Sequence, residues 1–552
     1  MKIKHWLILI LALAAVLRLY GLSRGDTVND EVFYGFRAVG LMDFDEAADQ
    51  TTPWEWTDPE IPGWMRMSFH DHPPLVFWIQ HLSILVFGEN NFALRFPSAI
   101  LGVLSVYILY LIGERIFSER AGLLGAFLMA VTLNSVYISR TGMQEPYVIF
   151  FILLSSYLFL KSLEKENYLI WLGAALGFGF LAKYNTFILG PIFLTYLAFF
   201  RRDYFLNKKL WQGAFLSVAI FSPVIIYNIK LYQAVGHFDF QFSYIFGQNP
   251  EVWGVAPGKE IGTMAERARS FIPRLISSNS WLYLTAFSLV FLAGLGTFIK
   301  KPEKFLKENA FLLIVFAYLL LLLAVIGPSY RFLTMLTPFM VLTMAILFDY
   351  LYRIWPQKRL WAVLFAVFIA FEIFYAFNNQ IAYYPVGPSP WLSSKVRYEN
   401  YNWGHNALGD FFEKEFKGRM PAIRFEAQYD FIEKAQDRSL ERAQKLGFGP
   451  YPAMVVTYGN FDRGAKLWVL DRLHIYHGWP IISFDTYLSY MKENGADYYK
   501  RVGFKYYYFV LSSNIAPTSE FLARIQKNQP MGILNPRGDE AFRVYKLSSA
   551  DY

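Results

Sequence analysis

The sequence predicts a mostly helical, polytopic membrane protein of about eleven transmembrane helices, followed by a C-terminal extracytoplasmic α/β domain. Of its 552 residues 55% are hydrophobic and 19% aromatic, whereas only 17% are charged. An ordinary soluble domain carries about 25% charged residues. The apolar residues collect in long uncharged runs up to about residue 377, and charge returns after that point. This composition excludes a disordered or nucleic-acid-binding chain.

The charge and the cysteine content narrow the possibilities further. The chain has 52 Lys and Arg against 44 Asp and Glu, a formal net charge of +8. In a membrane protein such an excess is typical of cytoplasmic loops and needs no anionic polymer as partner. The chain has no cysteine, which excludes disulfides, Cys-ligated zinc and thiol catalysis.

The predicted spans account for most of the chain, because a bilayer crossing takes about 20 mostly apolar residues. The candidate segments are 5–22, 97–116, 122–139, 147–162, 168–182, 186–200, 213–230, 280–299, 310–326, 332–352 and 360–377. The first follows Lys2 and Lys4 and has no small-residue cleavage site after it. We therefore expect a retained anchor rather than a cleaved signal peptide.

The segment 74–87 decides the sidedness of every later loop. It holds Gln80 and His81, starts at a double proline and is short for a crossing. We therefore interpret it as an interfacial helix that lies on the membrane. With this choice the first external loop runs from about residue 23 to residue 96.

The distribution of Lys and Arg favours this arrangement, because cytoplasmic loops carry the excess of basic residues. Seventeen basic residues fall on the predicted cytoplasmic side: Lys2, Lys4, Arg115, Arg120, Lys161, Lys165, Arg201, Arg202, Lys208, Lys209, Lys300, Lys301, Lys304, Lys307, Arg353, Lys358 and Arg359. The short loops on the opposite side hold little beyond Arg140, Lys183 and Arg331. The sequence thus predicts a multi-pass protein of the cell membrane with a cytoplasmic N-terminus and an extracytoplasmic C-terminus.

The composition divides the chain into a transmembrane domain, 1–377, and a soluble domain, 378–552. In the second domain apolar runs shrink to strand length. Strands are predicted at 453–457, 480–484, 505–510 and 541–545, with helices near 427–446, 462–476, 485–500 and 517–528. About 175 residues suffice for an independent core, so we expect a small α/β domain.

The polar residues that could carry chemistry fall on the predicted outer face. They are Asp30, Glu31, His70, His72, Arg140, Glu145, Lys183 and Arg331. Charges at the edges of spans are costly to desolvate, which favours a site in which they have partners. Two groups of carboxylates and three cations would meet there.

Each of these residues also has a plain structural interpretation. The pair Asp30 and Glu31 could begin a solvated helix, and Glu145 before a proline could be a helix N-terminal charge. The cations Lys183 and Arg331 could snorkel to the interface or bind lipid headgroups. On extended chain His70 and His72 point to one face and could bind a metal, although no further ligand spacing completes such a site.

The order of these residues resembles the GT-C glycosyltransferases, in particular the protein O-mannosyltransferase-like and aminoarabinose-transferase-like branches. An Asp-Glu pair follows the first span, a His-Pro-Pro segment opens an apolar helix, and ALRFPSAILG follows at 93–102. Later come a loop from Ser139-Arg140 to Glu145 and the pair Tyr330-Arg331 before a late span. The resemblance covers about residues 1–350. There is no Trp-Trp-Asp-Tyr-Gly motif, which argues against the oligosaccharyltransferase branch.

The resemblance implies inverting transfer of a sugar from a polyprenyl-phosphate donor on the non-cytoplasmic side. Asp30 matches the catalytic Asp of the family. Glu145 stands where the aminoarabinose branch has Asp, and Phe33 stands where that branch has Arg. The phosphate must therefore be bound by other cations.

Roles for the residues follow from the chemistry of this transfer. A hydroxyl acceptor is a poor nucleophile, so a carboxylate such as Asp30 would serve as general base. Arg331 is the first candidate for the departing phosphate, since a guanidinium binds it bidentately. Lys183, Arg140 and Tyr330 would complete the substrate site, with Glu31 and Glu145 orienting the acceptor or a metal and His72 shaping the pocket. The cofactor requirement stays open, with a divalent cation as the candidate.

Two other functions compete with this hypothesis. A flippase or transporter would place ionisable residues near the bilayer midplane, often within internal repeats, and we detect no repeat. A non-enzymatic anchor for the C-terminal domain would leave the ordered loop residues unexplained. The expected partners are a polyprenyl-phosphate-sugar donor, membrane lipids and a glycan, lipid or protein acceptor of the cell envelope, with protein glycosylation among the alternatives and no nucleic acid.

Overall fold

The computed structural model of the chain describes residues 3–28, 30–43, 62–250, 262–354, 356–382, 384–427, 429–513, 515 and 520–549. The predicted external loop is thus described except for 29 and 44–61, and the basic residue Lys2 lies outside the described residues. The described residues form two compact units. The first holds 3–23, 43 and 63–398, and the second holds 24–42, 62 and the chain from 399 onward. The sequence-based domain boundary at 377/378 stays a prediction.

Helices make up the ordered elements of the described chain as far as residue 401. The first nine are α1 (Ile3–Leu19), α2 (Glu31–Gly40), α3 (Leu75–Phe87), α4 (Asn91–Ile116), α5 (Glu119–Val131), α6 (Leu133–Ser139), α7 (Glu145–Ser162), α8 (Tyr168–Ala182) and α9 (Leu189–Phe200). The next eight are α10 (Lys208–Val235), α11 (Phe240–Ile245), α12 (Met264–Ser278), α13 (Trp281–Lys300), α14 (Pro302–Ile326), α15 (Tyr330–Leu333), α16 (Thr337–Ile354) and α17 (Lys358–Gln380). Short 3₁₀ turns lie at Gly63–Arg66, Tyr184–Ile188, Arg202–Leu206, Thr334–Leu336 and Tyr398–Tyr401.

Seven helices of the described chain are long and apolar enough to cross a membrane. They are α4, α7, α10, α13, α14, α17 and the run Tyr330–Ile354 that includes α16. An eighth crossing is possible if the bent pair α5 and α6 counts as one span. Helix α1 has 17 residues, and α8 and the segment Tyr184–Phe200 are shorter apolar helices. The multi-pass helical class is thus confirmed, whereas a total of eleven spans stays a prediction.

The predicted span 122–139 is broken in the structure. Helix α5 ends at Val131 and α6 starts at Leu133, with an angle of 61° between them. Between them Thr132 has an extended backbone (φ −63°, ψ 130°), and its hydroxyl donates to the Leu128 carbonyl at 2.7 Å. A β-branched residue that bonds backward in this way competes with the helical ladder, which explains the break.

The segment expected to be an interfacial helix forms α3, close to the predicted 74–87. Its Gln80 is fully buried, and the side-chain amide donates to the Gly142 carbonyl at 2.6 Å. Its last turn exposes Leu82, Leu85 and Val86. A buried polar group with a partner and an exposed apolar end fit a helix partly covered by protein, and its placement on the membrane surface stays a prediction.

The second unit combines helices with a mixed sheet. Its elements after residue 401 are α18 (His405–Glu415), β1 (Arg419–Pro421), α19 (Asp430–Lys445), β2 (Gly449–Tyr451), β3 (Ala453–Tyr458), α20 (Arg463–Lys466), a π-helical turn (Leu467–Asp471), α21 (Arg472–His477), β4 (Ile481–Ser483), α22 (Phe484–Asn494), α23 (Tyr498–Val502), β5 (Tyr506–Ser512), α24 (Glu520–Ile525), β6 (Met531–Leu534) and β7 (Glu540–Ser548). The main sheet has the order β4-β3-β5-β7-β6. Strands β4, β3 and β5 run parallel, and β7 and β6 are antiparallel to their neighbours. Parallel strands linked by helices are what the alternating sequence pattern predicts.

All four predicted strands are present, with ends that differ by at most three residues. The short strands β1, β2 and β6 have no counterpart in the prediction. The predicted helix 485–500 is two helices, because the chain at Gly495 takes φ +97° and ends α22. The core of the sheet includes Met454, Val456, Phe509 and Tyr545, so β3, β5 and β7 carry the burial that holds this unit together.

Candidate functional site

A buried ion pair at the start of α7 forms the centre of the candidate site. Glu145 is the first residue of α7, it is fully buried, and Pro146 follows it. Proline suits the first turn of a helix, and the positive end of the helix dipole favours a carboxylate there. The start of α7 therefore favours a negatively charged side chain at position 145.

Two cations surround this carboxylate. The Lys183 ammonium donates to Glu145 Oε1 at 2.6 Å, and Arg331 Nε lies 3.8 Å from the same oxygen. Lys183 is extended between α8 and the following turn, and Arg331 lies in the short helix α15. Both cations also lie over the Phe332 ring, at 5.2 and 4.9 Å from its centroid. Phe332 was not among the predicted site residues, although an aromatic residue directly after Arg331 could have indicated a contact with the cation.

The members of this cluster differ in their contacts and exposure. The second oxygen of Glu145 has no hydrogen-bond partner among the described residues. The Arg331 side chain is 24% exposed, whereas that of Glu145 is 1% exposed. Arg331 is thus the member that a ligand can reach, and a guanidinium binds phosphate well.

An apolar cavity of about 530 Å³ lies between α12, α13, α14 and α16. Its lining includes Phe271 and Leu275 of α12, Phe291 of α13, Phe316 of α14 and Met340 of α16. It also includes Leu336, which ends the 3₁₀ turn directly after α15. Arg331 belongs to α15. A cavity with this lining accepts a hydrocarbon chain rather than a polar group.

Arg140 has a different environment. Its guanidinium donates to the carbonyls of Leu17, Arg18, Tyr20 and Gly21 at 2.9 to 3.2 Å. A cation that binds the last carbonyls of a helix stabilises the helix end. These bonds tie Arg140 to the end of α1, and its predicted contact with substrate stays a prediction.

Tyr330 lies next to Arg331 and accepts a hydrogen bond from the Ser277 hydroxyl at 3.3 Å. Ser277 belongs to α12, which also lines the apolar cavity. The contact joins α12 to α15, the short helix that carries Arg331. A role for Tyr330 in substrate binding stays a prediction.

The histidines of the first loop pair separately. His72 Nδ1 lies 2.9 Å from an Asp71 oxygen. His70 is buried with Asp43, which contacts the imidazole Nδ1 at 2.8 Å and accepts the His70 backbone N–H at 2.7 Å. The two histidines thus have different carboxylate neighbours, and a metal shared by His70 and His72 stays an untested alternative.

Asp43, His70 and Asp71 are the residues of the described chain that could hold a metal ion together, with one ligand atom from each within 4.8 Å of the others. Carboxylate and imidazole donors suit a divalent transition metal. The sequence analysis missed Asp43, because it lies 27 residues before His70 and follows no metal-ligand spacing.

A second buried carboxylate, Asp239, lies beside this loop. It accepts hydrogen bonds from the Tyr184 hydroxyl at 2.6 Å and the Asn228 amide at 2.9 Å, and it caps α11 through the backbone N–H groups of Gln241 and Phe242. Burial raises the pKa of Asp239 to about 6, although these hydrogen bonds oppose the rise. The neighbouring Phe240 N–H donates to the His70 carbonyl at 2.7 Å, which ties α11 to the first loop.

The first-loop carboxylates Asp30 and Glu31 belong to the second unit. Asp30 precedes α2, is partly exposed and accepts a hydrogen bond from the Tyr34 hydroxyl at 3.3 Å. Glu31 is fully buried. Of the two, Asp30 is the carboxylate that an acceptor can reach. The residues brought together in the first unit are thus Glu145, Lys183 and Arg331.

A family model described as dolichyl-phosphate-mannose-protein mannosyltransferase matches residues 71–227. The chain is similar to the putative mannosyltransferase YkcB of Bacillus subtilis (strain 168), with 29% identity over 232 residues, which is 40% of this chain and 31% of that protein. It is also similar to the undecaprenyl phosphate-alpha-4-amino-4-deoxy-L-arabinose arabinosyl transferase of Wigglesworthia glossinidia brevipalpis, with 27% identity over 158 residues, or 27% of this chain and 28% of that protein. The chain thus spans about a third or less of the length of these two curated relatives.

The similarity extends over the whole chain at the level of the fold. The crystal structure of ArnT from Cupriavidus metallidurans bound to undecaprenyl phosphate superposes with a TM-score of 0.55 at 13% identity, covering 98% of both chains. At this identity the match concerns the fold alone. The matched family segment includes Glu145 and Lys183 but ends before Arg331.

Proposed function

We propose that this chain, which has the fold of the GT-C membrane glycosyltransferases, transfers a sugar from a polyprenyl-phosphate-linked donor to a hydroxyl acceptor on the outer face of the membrane. The observation that carries the proposal is the buried Glu145, whose carboxylate is shared by Lys183 and Arg331. Lys and Arg side chains bind phosphate by charge-assisted hydrogen bonds, so these two cations suit the phosphate of the donor. The apolar cavity along α12, α13, α14 and α16 suits the polyprenyl chain of that donor.

In this mechanism the phosphate is the leaving group. The bond between the anomeric carbon and the phosphate oxygen breaks, and the lipid phosphate leaves with the electron pair. Arg331 and Lys183 stabilise the charge that develops on this oxygen, as preorganised cations do in a site that excludes water. Glu145 keeps both cations oriented and prevents their mutual repulsion.

The oxygen of the acceptor hydroxyl forms the new bond to the anomeric carbon, and the configuration of that carbon is inverted. Asp30 removes the hydroxyl proton as general base. The Tyr34 hydroxyl donates to Asp30 and orients the carboxylate. Roles for Glu31 and His72 on the acceptor stay predictions. If the reaction uses a divalent cation, Asp43, His70 and Asp71 are the described residues that would hold it, and it would act as a Lewis acid.

The proposed topology has eleven spans, a cytoplasmic N-terminus and an extracytoplasmic second unit. It combines the seven long apolar helices and the bent pair α5 and α6, counted as one span, with the shorter α1, α8 and α9. The seventeen basic residues on the predicted cytoplasmic edges support this orientation. The acceptor class is a protein, lipid or glycan hydroxyl of the cell envelope.

The test uses the purified full chain in lipid nanodiscs with a polyprenyl-phosphate sugar and a cell-envelope extract. We expect release of polyprenyl phosphate that depends on the extract, and loss of at least about 100-fold in rate for Asp30→Asn, the range of a missing general base. A matched control is Asp497→Asn, which changes an exposed carboxylate of the second unit. An unchanged rate in Asp30→Asn would exclude Asp30 as the base.

A lipid-linked-sugar flippase is the second candidate, because a protein with an apolar cavity and a partly exposed Arg331 also suits a transported lipid phosphate. In sealed vesicles a flippase would move the donor lipid without any acceptor and would keep this activity in Asp30→Asn. We expect no acceptor-independent movement above that of protein-free vesicles.

A further inference from the structure

The helix that carries the first-loop carboxylates is folded as a part of the second unit, and its first attachment is Asp26. The Asp26 carboxylate accepts the backbone N–H groups of Trp403 and Asn406, each at 2.7 Å. The Asp26 N–H donates to the Tyr401 carbonyl at 2.6 Å. Asp26 is only 4% exposed. These three bonds fix the chain four residues before Asp30.

A second attachment holds the far end of α2. The Tyr476 hydroxyl, on α21, donates to the Phe36 carbonyl at 2.7 Å, and the two rings lie 5.1 Å apart. A Cβ atom added at Gly40 would approach the Tyr476 ring to 2.4 Å, so this close packing requires glycine. Tyr476 is 5% exposed. A buried hydroxyl needs a hydrogen-bond partner, and the Phe36 carbonyl provides it.

The first turn of α2 packs against the short helix α20, which leads into the π-helical segment. Val32 is 1% exposed, and a Cβ atom added at Gly464 would lie 3.7 Å from Val32 Cβ. The π-helical turn Leu467–Asp471 follows directly, and π-helical turns occur frequently at functional sites. Helix α2 is thus held before its start, in its first turn and at its far end by one folded body.

We propose that Asp26 and Tyr476 are positioning residues, through which the C-terminal domain sets the place of the Asp30 and Glu31 carboxylates. The proposal rests on the proposed function, in which Asp30 is the base. A base must lie within hydrogen-bond reach of the proton it removes, and a misplacement of about 1 Å can cost about 100-fold in rate. A helix is rigid along its axis, so fixing both sides of α2 also fixes the carboxylates at its start. This gives the C-terminal domain a role in the reaction itself.

The first test separates rate from donor binding. Tyr476→Phe removes the hydroxyl that contacts Phe36, and Asp26→Asn leaves one of the two N–H donors without a carboxylate oxygen. We expect each variant to lower kcat about tenfold, because a base that is slightly misplaced loses rate. The KM for the donor should stay within about twofold, because Lys183 and Arg331 bind the phosphate. The matched control Tyr490→Phe changes an exposed tyrosine of the same unit and should keep the full kcat.

The second test restores the position by a different bond. The chain has no cysteine, so Val32→Cys with Gly464→Cys introduces the only pair, at a Cβ separation within the usual disulfide range of about 3.5–4.5 Å. In the Tyr476→Phe background, oxidation of this pair should recover most of the lost kcat, and reduction should remove the gain. A variant that was merely misfolded would not recover in this reversible way.

The results that would overturn the inference differ from those that would overturn the proposed function. An unchanged kcat in Tyr476→Phe and Asp26→Asn, or an oxidised pair that inactivates the enzyme, excludes the positioning role while Asp30→Asn still abolishes transfer. Full activity of Asp30→Asn, with or without the disulfide, excludes the assignment of the base. A rise in donor KM with unchanged kcat would also contradict the positioning role.

Discussion

Lys183 and Glu145 form a buried ion pair in which Nζ lies 2.6 Å from Oε1, with side chains 10% and 1% exposed. Arg331 contacts the same oxygen at a longer distance of 3.8 Å and is more exposed. The two cations are therefore not equivalent. Lys183 neutralises the carboxylate, and Arg331 remains the more accessible cation, so their substitutions should separate stability from ligand binding.

Lys183→Met should destabilise the protein. It leaves the Glu145 charge buried with only the more distant Arg331, and removing one partner of a buried pair costs about 3–5 kcal/mol. We expect a clear fall in Tm, measured on the purified protein in detergent. Adding Glu145→Gln to Lys183→Met should restore most of the Tm, because the buried carboxylate charge is then gone and the remaining Arg331 is partly exposed. A Tm unaffected by Lys183→Met would show that the pair contributes little to folding.

Arg331 should govern donor affinity rather than stability. Arg331→Ala removes a partly exposed guanidinium, and we expect a donor KM raised about tenfold or more, since each charge-assisted hydrogen bond contributes about 1.5–3 kcal/mol. Arg331→Lys should recover only a part of this affinity, because an ammonium cannot bind phosphate bidentately. Binding of polyprenyl phosphate by the purified protein measures both.

The control for this prediction is Arg202→Ala, which removes an exposed arginine at a predicted cytoplasmic edge. It should leave polyprenyl phosphate binding unchanged. Equal losses in Arg202→Ala and Arg331→Ala would indicate general attraction of the anionic lipid by surface charge instead of a defined site.

The sequence was sufficient for the parts of the fold that repeat a simple pattern. Long apolar runs predicted the spanning helices, and strand-length runs predicted β3, β4, β5 and β7. The break at Thr132 was missed, since its cause is one hydroxyl that bonds to Leu128 inside an apolar run. Short strands such as β1 were missed because three residues carry too little pattern.

The candidate site shows the same limit. Glu145, Lys183 and Arg331 were predicted together because all three are charges on one predicted face, and the fold brings them to one point. Asp43 was missed, because only tertiary packing places it beside His70. The attachment of Asp26 to the residues near 403 is likewise invisible in sequence, since the two segments are separated by 377 positions.

Asp239 should make the stability of the protein depend on pH. Burial raises its pKa from the ordinary 3.8 to about 6, so the folded state binds the proton more tightly than the unfolded state. This contribution to stability is complete below about pH 4 and is lost as the pH rises through about 6. We expect the Tm of the wild type to fall relative to that of Asp239→Asn as the pH rises from about 4 to about 6. A difference that is constant from pH 4 to pH 7 would contradict the raised pKa.

The apolar cavity can be tested with two glycines of the same helix. Gly294 lines the cavity, and a Cβ atom there would be 3.9 Å from its nearest neighbour, Phe305. Gly294→Phe should therefore fill the cavity without disturbing α13, and it should weaken the binding of a long polyprenyl phosphate by about tenfold while short-chain analogues bind as before. The matched control is Gly296→Phe, because a Cβ atom at Gly296 meets no described atom within 4 Å. Equal binding of the long-chain lipid by both variants would exclude this cavity as the site of the polyprenyl chain, and an equal loss for short and long chains would place the effect at the phosphate instead.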